Sequence, residues 1–204
     1  MNTFDIRDVM ENYFDIIEEQ TVASLIKSGA YFMGISAGAA GLTNYLRVPG
    51  SSKLIGGWLT LNDTDVIHDH IILDADAKFV SQEVAVKYAE LASYMFNGSK
   101  KGALYTGVTA SLATNYDKRA ADQAYLAMIS NTGSVGVHIV FENNLSDFSK
   151  SELRTEQNYA LCSAVFWMAG HLGYWGNVSD SEVSMLQESA VIKEATTWDF
   201  SKTS

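Results

Sequence analysis

The chain has a single cysteine, Cys162, and a single proline, Pro49. One cysteine excludes an intrachain disulfide and a cysteine-rich metal site. Basic residues are scarce: 14 lysines and arginines stand against 24 aspartates and glutamates, a formal charge of -10. That deficit disfavours a nucleic-acid partner, because few cations are available to displace counterions from phosphates. It also mismatches an anionic membrane surface. No apolar run approaches the roughly 18 residues of a transmembrane helix. The segment Met1 to Asp5 lacks the basic and apolar regions of a signal peptide. A cytoplasmic protein with no membrane partner is the expectation. There is no Gly-Lys-Ser/Thr, so no P-loop.

What is present favours a packed core. The 204 residues are 47% hydrophobic and 19% charged, which rules out disorder as the default. A chain of this length suits one domain and can bury roughly 70% of its unfolded surface.

Apolar residues at spacings of three and four predict a helix over 6–28, with Gly29 as its stop. Tyr31 to Ile35 reads as a buried strand. Leu42 to Leu46 reads as helical, ended before Pro49. A strand is expected over Lys53 to Leu61, and Val66 to Leu73 fits either state. Ser81 is a candidate cap for a helix over 82–97. Ala103 to Val108 is a strand. Gln123 to Ser130 and Ser134 to Glu142 form a hairpin through Asn131-Thr132-Gly133. Ser149 and Glu152 form a capping box for a helix reaching about His171. A further helix is expected near 180–195. Alternation followed by an antiparallel pair predicts an α/β fold, a three-layer α/β/α sandwich with a mixed sheet. The division expected is a domain over 1–175 and a C-terminal helical extension and tail over 176–204.

The small-residue stretch Gly34 to Gly41 follows a strand and opens a helical segment. Such a junction offers backbone N–H groups to a phosphate or carboxylate. It also matches Gly-x-Ser-x-Gly, with Ser36 as the nucleophile. An α/β-hydrolase needs several strands before that elbow, and one precedes it here. His138 and His171 are partners for Ser36 by elimination only. Close packing of a helix on the sheet explains the small residues equally. A second corner, Gly50-Ser51-Ser52, could bind an anion or reverse the chain. A third runs from Thr106 and Gly107 through Thr109 and Ser111 to Lys118 and Arg119. Loops beyond the carboxyl ends of strands are where open α/β sheets bind ligands. Small-residue loops after separate strands could therefore converge on one site.

His68-Asp69-His70, with Asp65 and Asp74, could hold a divalent metal. A polar loop edge explains it as well, and no metal is assigned. Cys162, among Leu161, Val165 and Phe166, reads as a core thiol. Trp167, Tyr174, Trp175 and Trp198 could line a surface patch or anchor the tail.

Three stretches carry a family resemblance: Val48-Pro49-Gly50-Ser51-Ser52, Val80-Ser81-Gln82-Glu83-Val84-Ala85, and Thr106-Gly107-Val108-Thr109-Ala110. With the strand and small-residue loop before them, their order and spacing over about 10–172 resemble the CinA C-terminal domain. The stand-alone nicotinamide-nucleotide amidases are part of that family. The resemblance implies a metal-free amidohydrolase without cofactor, releasing ammonia from nicotinamide mononucleotide through a serine and a lysine. It also implies a homo-oligomer, since the family tends to form dimers. A one-residue shift places Ser36 on the family serine. The family lysine falls near Val66 or Ile67, so the base is absent there. Lys53, Lys118 and Arg119 are the nearest cations by sequence.

The expected function is therefore binding of a pyridine- or other nucleotide-like ligand by a catalytically degenerate relative. Gly34, Gly38, Gly41, Gly50, Ser51, Ser52, Thr106, Gly107, Thr109, Ser111, Lys118 and Arg119 would bind it. An active amidohydrolase with Ser36 as nucleophile is one alternative. A non-catalytic interaction or self-assembling protein is the other.

Overall fold

The computed structural model describes residues 20, 22–43, 49–62, 78–96, 102–116, 118, 120–142, 145–146, 148–174 and 191–200. Among them are three α-helices, α1 (22–28), α2 (Gln82–Met95) and α3 (Lys150–Ala169). Six strands accompany them: β1 (Tyr31–Ala37), β2 (Ile55–Thr60), β3 (Ala103–Ser111), β4 (Gln123–Ile129), β5 (Ser134–Phe141) and β6 (Ile192–Trp198).

Local signals place most of these ends. Helix α1 stops at Gly29, whose φ of 81° lets the Ala30 N–H reach the Leu25 carbonyl at 3.0 Å. Ser81 caps α2 by accepting from the Val84 N–H. Ser149 and Glu152 close a reciprocal capping box on α3. In the hairpin, Ser130 N–H donates to the Gly133 carbonyl at 2.9 Å, and the Ser130 hydroxyl accepts from the amides of Thr132 and Gly133.

The sheet order is β2-β1-β3-β4-β5-β6. Strand β1 pairs in parallel with β2 and β3, and the remaining pairs are antiparallel. Successive side chains alternate faces. One face carries Phe32, Leu104, Val108, Leu126, Met128, Val137 and Ile139 into the main core, against Val22 and Leu25 of α1 and the apolar side of α3. The opposite face carries Ile35, Ala37, Ala127 and Ile129 against Val84, Ala85, Tyr88 and Ala89 of α2. The result is the expected three-layer α/β arrangement with an open, mixed sheet.

One expectation fails. The helix near 180–195 is replaced over its last residues by β6, paired with β5 from Phe141↔Ile192 to Gly136↔Trp198. Those residues extend the main sheet, so they are no helical extension. Val191 and Ile192, Thr196 and Thr197, and Trp198 favour extended backbone. Their strand pattern is hidden because an edge strand buries little: Thr196 and Thr197 are both exposed. Residues 1–19, 44–48 and 63–77 lie outside the described residues, and with them most of the first helix and the His68-Asp69-His70 segment.

Two further expectations are settled by packing. Cys162 is a buried core thiol. Trp167 and Tyr174 are buried, so they line no surface patch; Trp175 is outside the described residues.

The β4–β6 part of the α2 face holds an aromatic group. The His138 ring stacks on Tyr125 at 4.1 Å and 6°, and Trp198 lies over Gly136, where a Cβ would clash with the indole. Burial lowers the His138 pKa from the ordinary 6.5, with the Glu194 carboxylate opposing. The fold thus favours neutral imidazole. Its contribution to stability is present above 6.5 and is lost as pH falls through the lowered folded value. Urea titrations at about pH 7 and about pH 5 should show a larger loss on acidification for the parent than for His138→Phe. Equal losses would remove His138 as a cause.

Candidate functional site

Ser36 is the penultimate residue of β1 and is fully buried. Its side chain lies on the α3 face of the sheet, in register with Thr60 of β2. The Ser36 hydroxyl donates to the Ala39 carbonyl at 3.0 Å and accepts from Trp58 Nε1 at 3.0 Å. Thr60 Oγ1 stands 3.3 Å away. Among the described residues no lysine, histidine or carboxylate bonds this hydroxyl. Both histidines named by elimination are misplaced for it. His138 faces the α2 side of the sheet. His171 lies beyond the far end of α3, roughly 20 Å along the axis from Asn158 at 1.5 Å per residue, stacked on Trp167.

Trp58 arrives on this face through a bulge. Phe32 pairs with Ile55 but Met33 pairs with Gly57, so Gly56 is the extra residue. Without it Trp58 would sit beside Ile35 and point to the α2 face, because a one-residue slip inverts every side chain. With it, Trp58 lies beside Gly34. A Cβ on Gly34 would stand 2.6 Å from Trp58 Cζ3, and one on Gly41 would overlap the indole nitrogen. Glycine inside a buried strand weakens it unless something must approach closely. Here the indole is what approaches.

The corners after β1 and β3 meet. Gly38, at φ 74°, packs so tightly on the Ala110 carbonyl that a Cβ would overlap it. Their amides are already bonded. The Gly38 N–H donates to Asn62 Oδ1 at 3.1 Å, Ala40 N–H to Asn158 Oδ1 at 2.9 Å, and Ala113 N–H to Gln157 Oε1 at 2.7 Å. Arg154 spans both corners, donating from Nη1 to the Ala113 carbonyl and from Nη2 to the Gly38 carbonyl. Arg154, Gln157 and Asn158 share one side of α3 through their spacing of three and four. Lys118 donates to Ser111 Oγ at 3.0 Å and to the Leu112 carbonyl at 2.6 Å, and forms a buried ion pair with Asp122. Asp122 also accepts from Gln157 Nε2 at 3.0 Å.

Several expected ligand groups are elsewhere. Gly50, Ser51 and Ser52 precede β2, so they lie at its amino end, where the Phe32 N–H meets the Leu54 carbonyl. Ser36 is four residues further along β1, about 13 Å at strand rise. Parallel pairing of β1 and β2 therefore puts this corner at the opposite end of the strands from the other two. Gly107 faces α2, where a Cβ would strike the backbone of Ala85 and Ala89. Thr109 also faces that side and donates to the Phe79 carbonyl at 2.5 Å. Thr106 is on the Ser36 face, in register with Gly34, buried and, among the described residues, without a partner for its hydroxyl. Arg119 is outside the described residues. Trp58, Asn62, Arg154, Gln157 and Asn158 were not singled out from the sequence. The signals were the Gly56-Gly57-Trp58 run and the shared face of the three α3 residues.

No protein-family model matches the chain, and no curated protein matches it. Solved structures do. A CinA superfamily protein from Enterobacter cloacae superposes with a TM-score of 0.55 at 12% identity, over 76% of this chain and 90% of that one. Another from Klebsiella pneumoniae gives 0.57 at 9%, over 77% and 98%. The competence/damage inducible protein CihA from Agrobacterium tumefaciens gives 0.52 at 16%, over 78% and 92%. At these identities the likeness concerns backbone architecture, and the chain has a CinA-like fold.

Proposed function

We propose that this is a CinA-like protein without amidohydrolase activity, whose corners at the carboxyl ends of β1 and β3 bind a small nucleotide-like molecule. The observation that carries the reading is the state of the Ser36 hydroxyl. Its proton is committed to a backbone carbonyl, its lone pair accepts an indole N–H, and among the described residues no base adjoins it. A serine without a base is a weak nucleophile. Lys118 cannot supply the base, because its ammonium is held by Asp122, Ser111 and a carbonyl. Binding is supported by the meeting of the two corners and by Arg154. That guanidinium is half-buried, fixed by two carbonyls, and has further N–H groups for a phosphate or carboxylate.

Ammonia release from nicotinamide mononucleotide tests the first half. The parent and Ser36→Ala should both match the no-protein control; release that disappears in Ser36→Ala would overturn the reading. Thermal shift with pyridine and adenine nucleotides tests the second. At least one should raise the Tm, and Arg154→Met should remove the rise. No shift with any of them would leave the interaction reading.

That second reading has its own observation. Leu59 on β2, the edge strand among the described residues, and Tyr94 and Met95 at the end of α2 are exposed by 37%, 81% and 51%. Phe96, next to Met95, packs against Gly57 of β2. Self-association through this edge would be broken by Leu59→Glu, read by sedimentation equilibrium.

A further inference from the structure

The slot between Gly34 and Gly41 has the shape of its occupant. Its walls are two residues whose missing side chains leave room for a flat ring. The Ser36 hydroxyl accepts the ring N–H, and Thr60 Oγ1 stands beside it. Next to Gly34, in the same row of side chains, the buried Thr106 hydroxyl has no partner among the described residues. An unsatisfied buried hydroxyl costs about 1–3 kcal/mol and is a group that a ligand can satisfy. The occupant comes from the rim of the sheet and is held beside Ser36 by one hydrogen bond. Trp58 is only half-buried, and among the described residues β2 is the edge strand of the sheet. Gly56 and Gly57 immediately precede the indole, the first of them the bulged residue. Bulges re-aim side chains beside sites, and this one sets on which face the indole lies.

We propose that Trp58 is a displaceable plug: its indole occupies, and so closes, a site for a flat heteroaromatic ring bearing an N–H donor. The proposal rests on the reading that the β1 and β3 corners bind a ligand, and it specifies which part of the ligand enters beside Ser36. A ligand must displace the indole, so the apparent affinity of the parent is reduced by the fraction of molecules in which Trp58 has swung out. Removing the indole removes that competition.

The probe is indole. Titrated into the parent protein, it should move the Trp58 Nε1–H cross-peak in a nitrogen–proton correlation spectrum. Trp58→Ala should bind indole at least about tenfold tighter than the parent by calorimetry. Trp58→Leu, which leaves less of a void, provides the same reading if the alanine variant does not fold. A Trp58 peak that stays put up to the solubility limit of indole overturns the proposal, since the slot is then only a hole made by mutation. So does a folded variant that binds indole no better than the parent. Such a failure, with the nucleotide-induced Tm rise intact, leaves the binding reading standing. Ser36-dependent ammonia release would instead defeat the non-hydrolytic reading and leave the indole result untouched.

Discussion

Asp122→Ala should lower the stability of the protein by about 3–5 kcal/mol, the range expected when one partner of a buried ion pair is removed. The side chains of Lys118 and Asp122 are only 15% and 7% exposed, so the lysine left behind is poorly hydrated. The same change orphans the buried Gln157 Nε2–H, whose other end holds the Ala113 amide. Urea denaturation measures the loss. Adding Lys118→Met should recover part of it by removing the uncompensated charge. What remains, about 1–3 kcal/mol, is the unsatisfied glutamine amide. A single-variant loss under about 1 kcal/mol, the scale of an exposed pair, would mean that this pair anchors nothing. The pair matters to the site because it fixes the start of the β3–β4 connection, and with it the Ser111–Ala113 corner.

Gly107→Ala should cost about 3 kcal/mol, the upper end of what an added methyl does in a packed core. The new Cβ would meet the backbone of Ala85 and Ala89 and the Cβ of Tyr88. A helix backbone cannot step aside as a flexible side chain can, so α2 must lift from β3 and β4. Gly29→Ala is the control. Gly29 also has a constrained role, at φ 81°, but nothing lies within 4 Å of its Cβ. Its loss should stay near about 1 kcal/mol, the left-handed penalty alone. If both variants lose the same amount, close helix approach is not what Gly107 provides.

Gly107 also shows how a motif can be legible and its meaning not. The Thr106-Gly107 pair marks the right strand, and the sequence alone places Gly107 among the ligand-binding residues. The space beside it is taken by α2. The architecture was readable where its signals are local: the Ser81 and Ser149 caps, the Gly29 stop and the Asn131-Thr132-Gly133 turn each act over a few residues. β6 was not, because an edge strand buries too few side chains to show alternation. The site was readable least. Ser36 was found from its neighbours in sequence, but its state is set by Trp58, delivered by a bulge at Gly56 that no periodicity reveals. The amides of Gly38, Ala40 and Ala113 look available along the chain. In three dimensions Asn62, Asn158 and Gln157 reach them from other elements. The Gly50-Ser51-Ser52 corner was grouped with these loops because all are rich in small residues. The direction of β2, a property of the sheet, puts it at the other end of the strands.

Labelling of native protein with a small fluorophosphonate, read by intact mass and peptide mapping, tests the state of Ser36 most directly. A hydroxyl buried beneath the Trp58 indole, donating to the Ala39 carbonyl and with no base beside it among the described residues, should take up no label. Stoichiometric phosphonylation of Ser36 in the folded protein would show an activated, accessible nucleophile and would be incompatible with a closed, non-hydrolytic site.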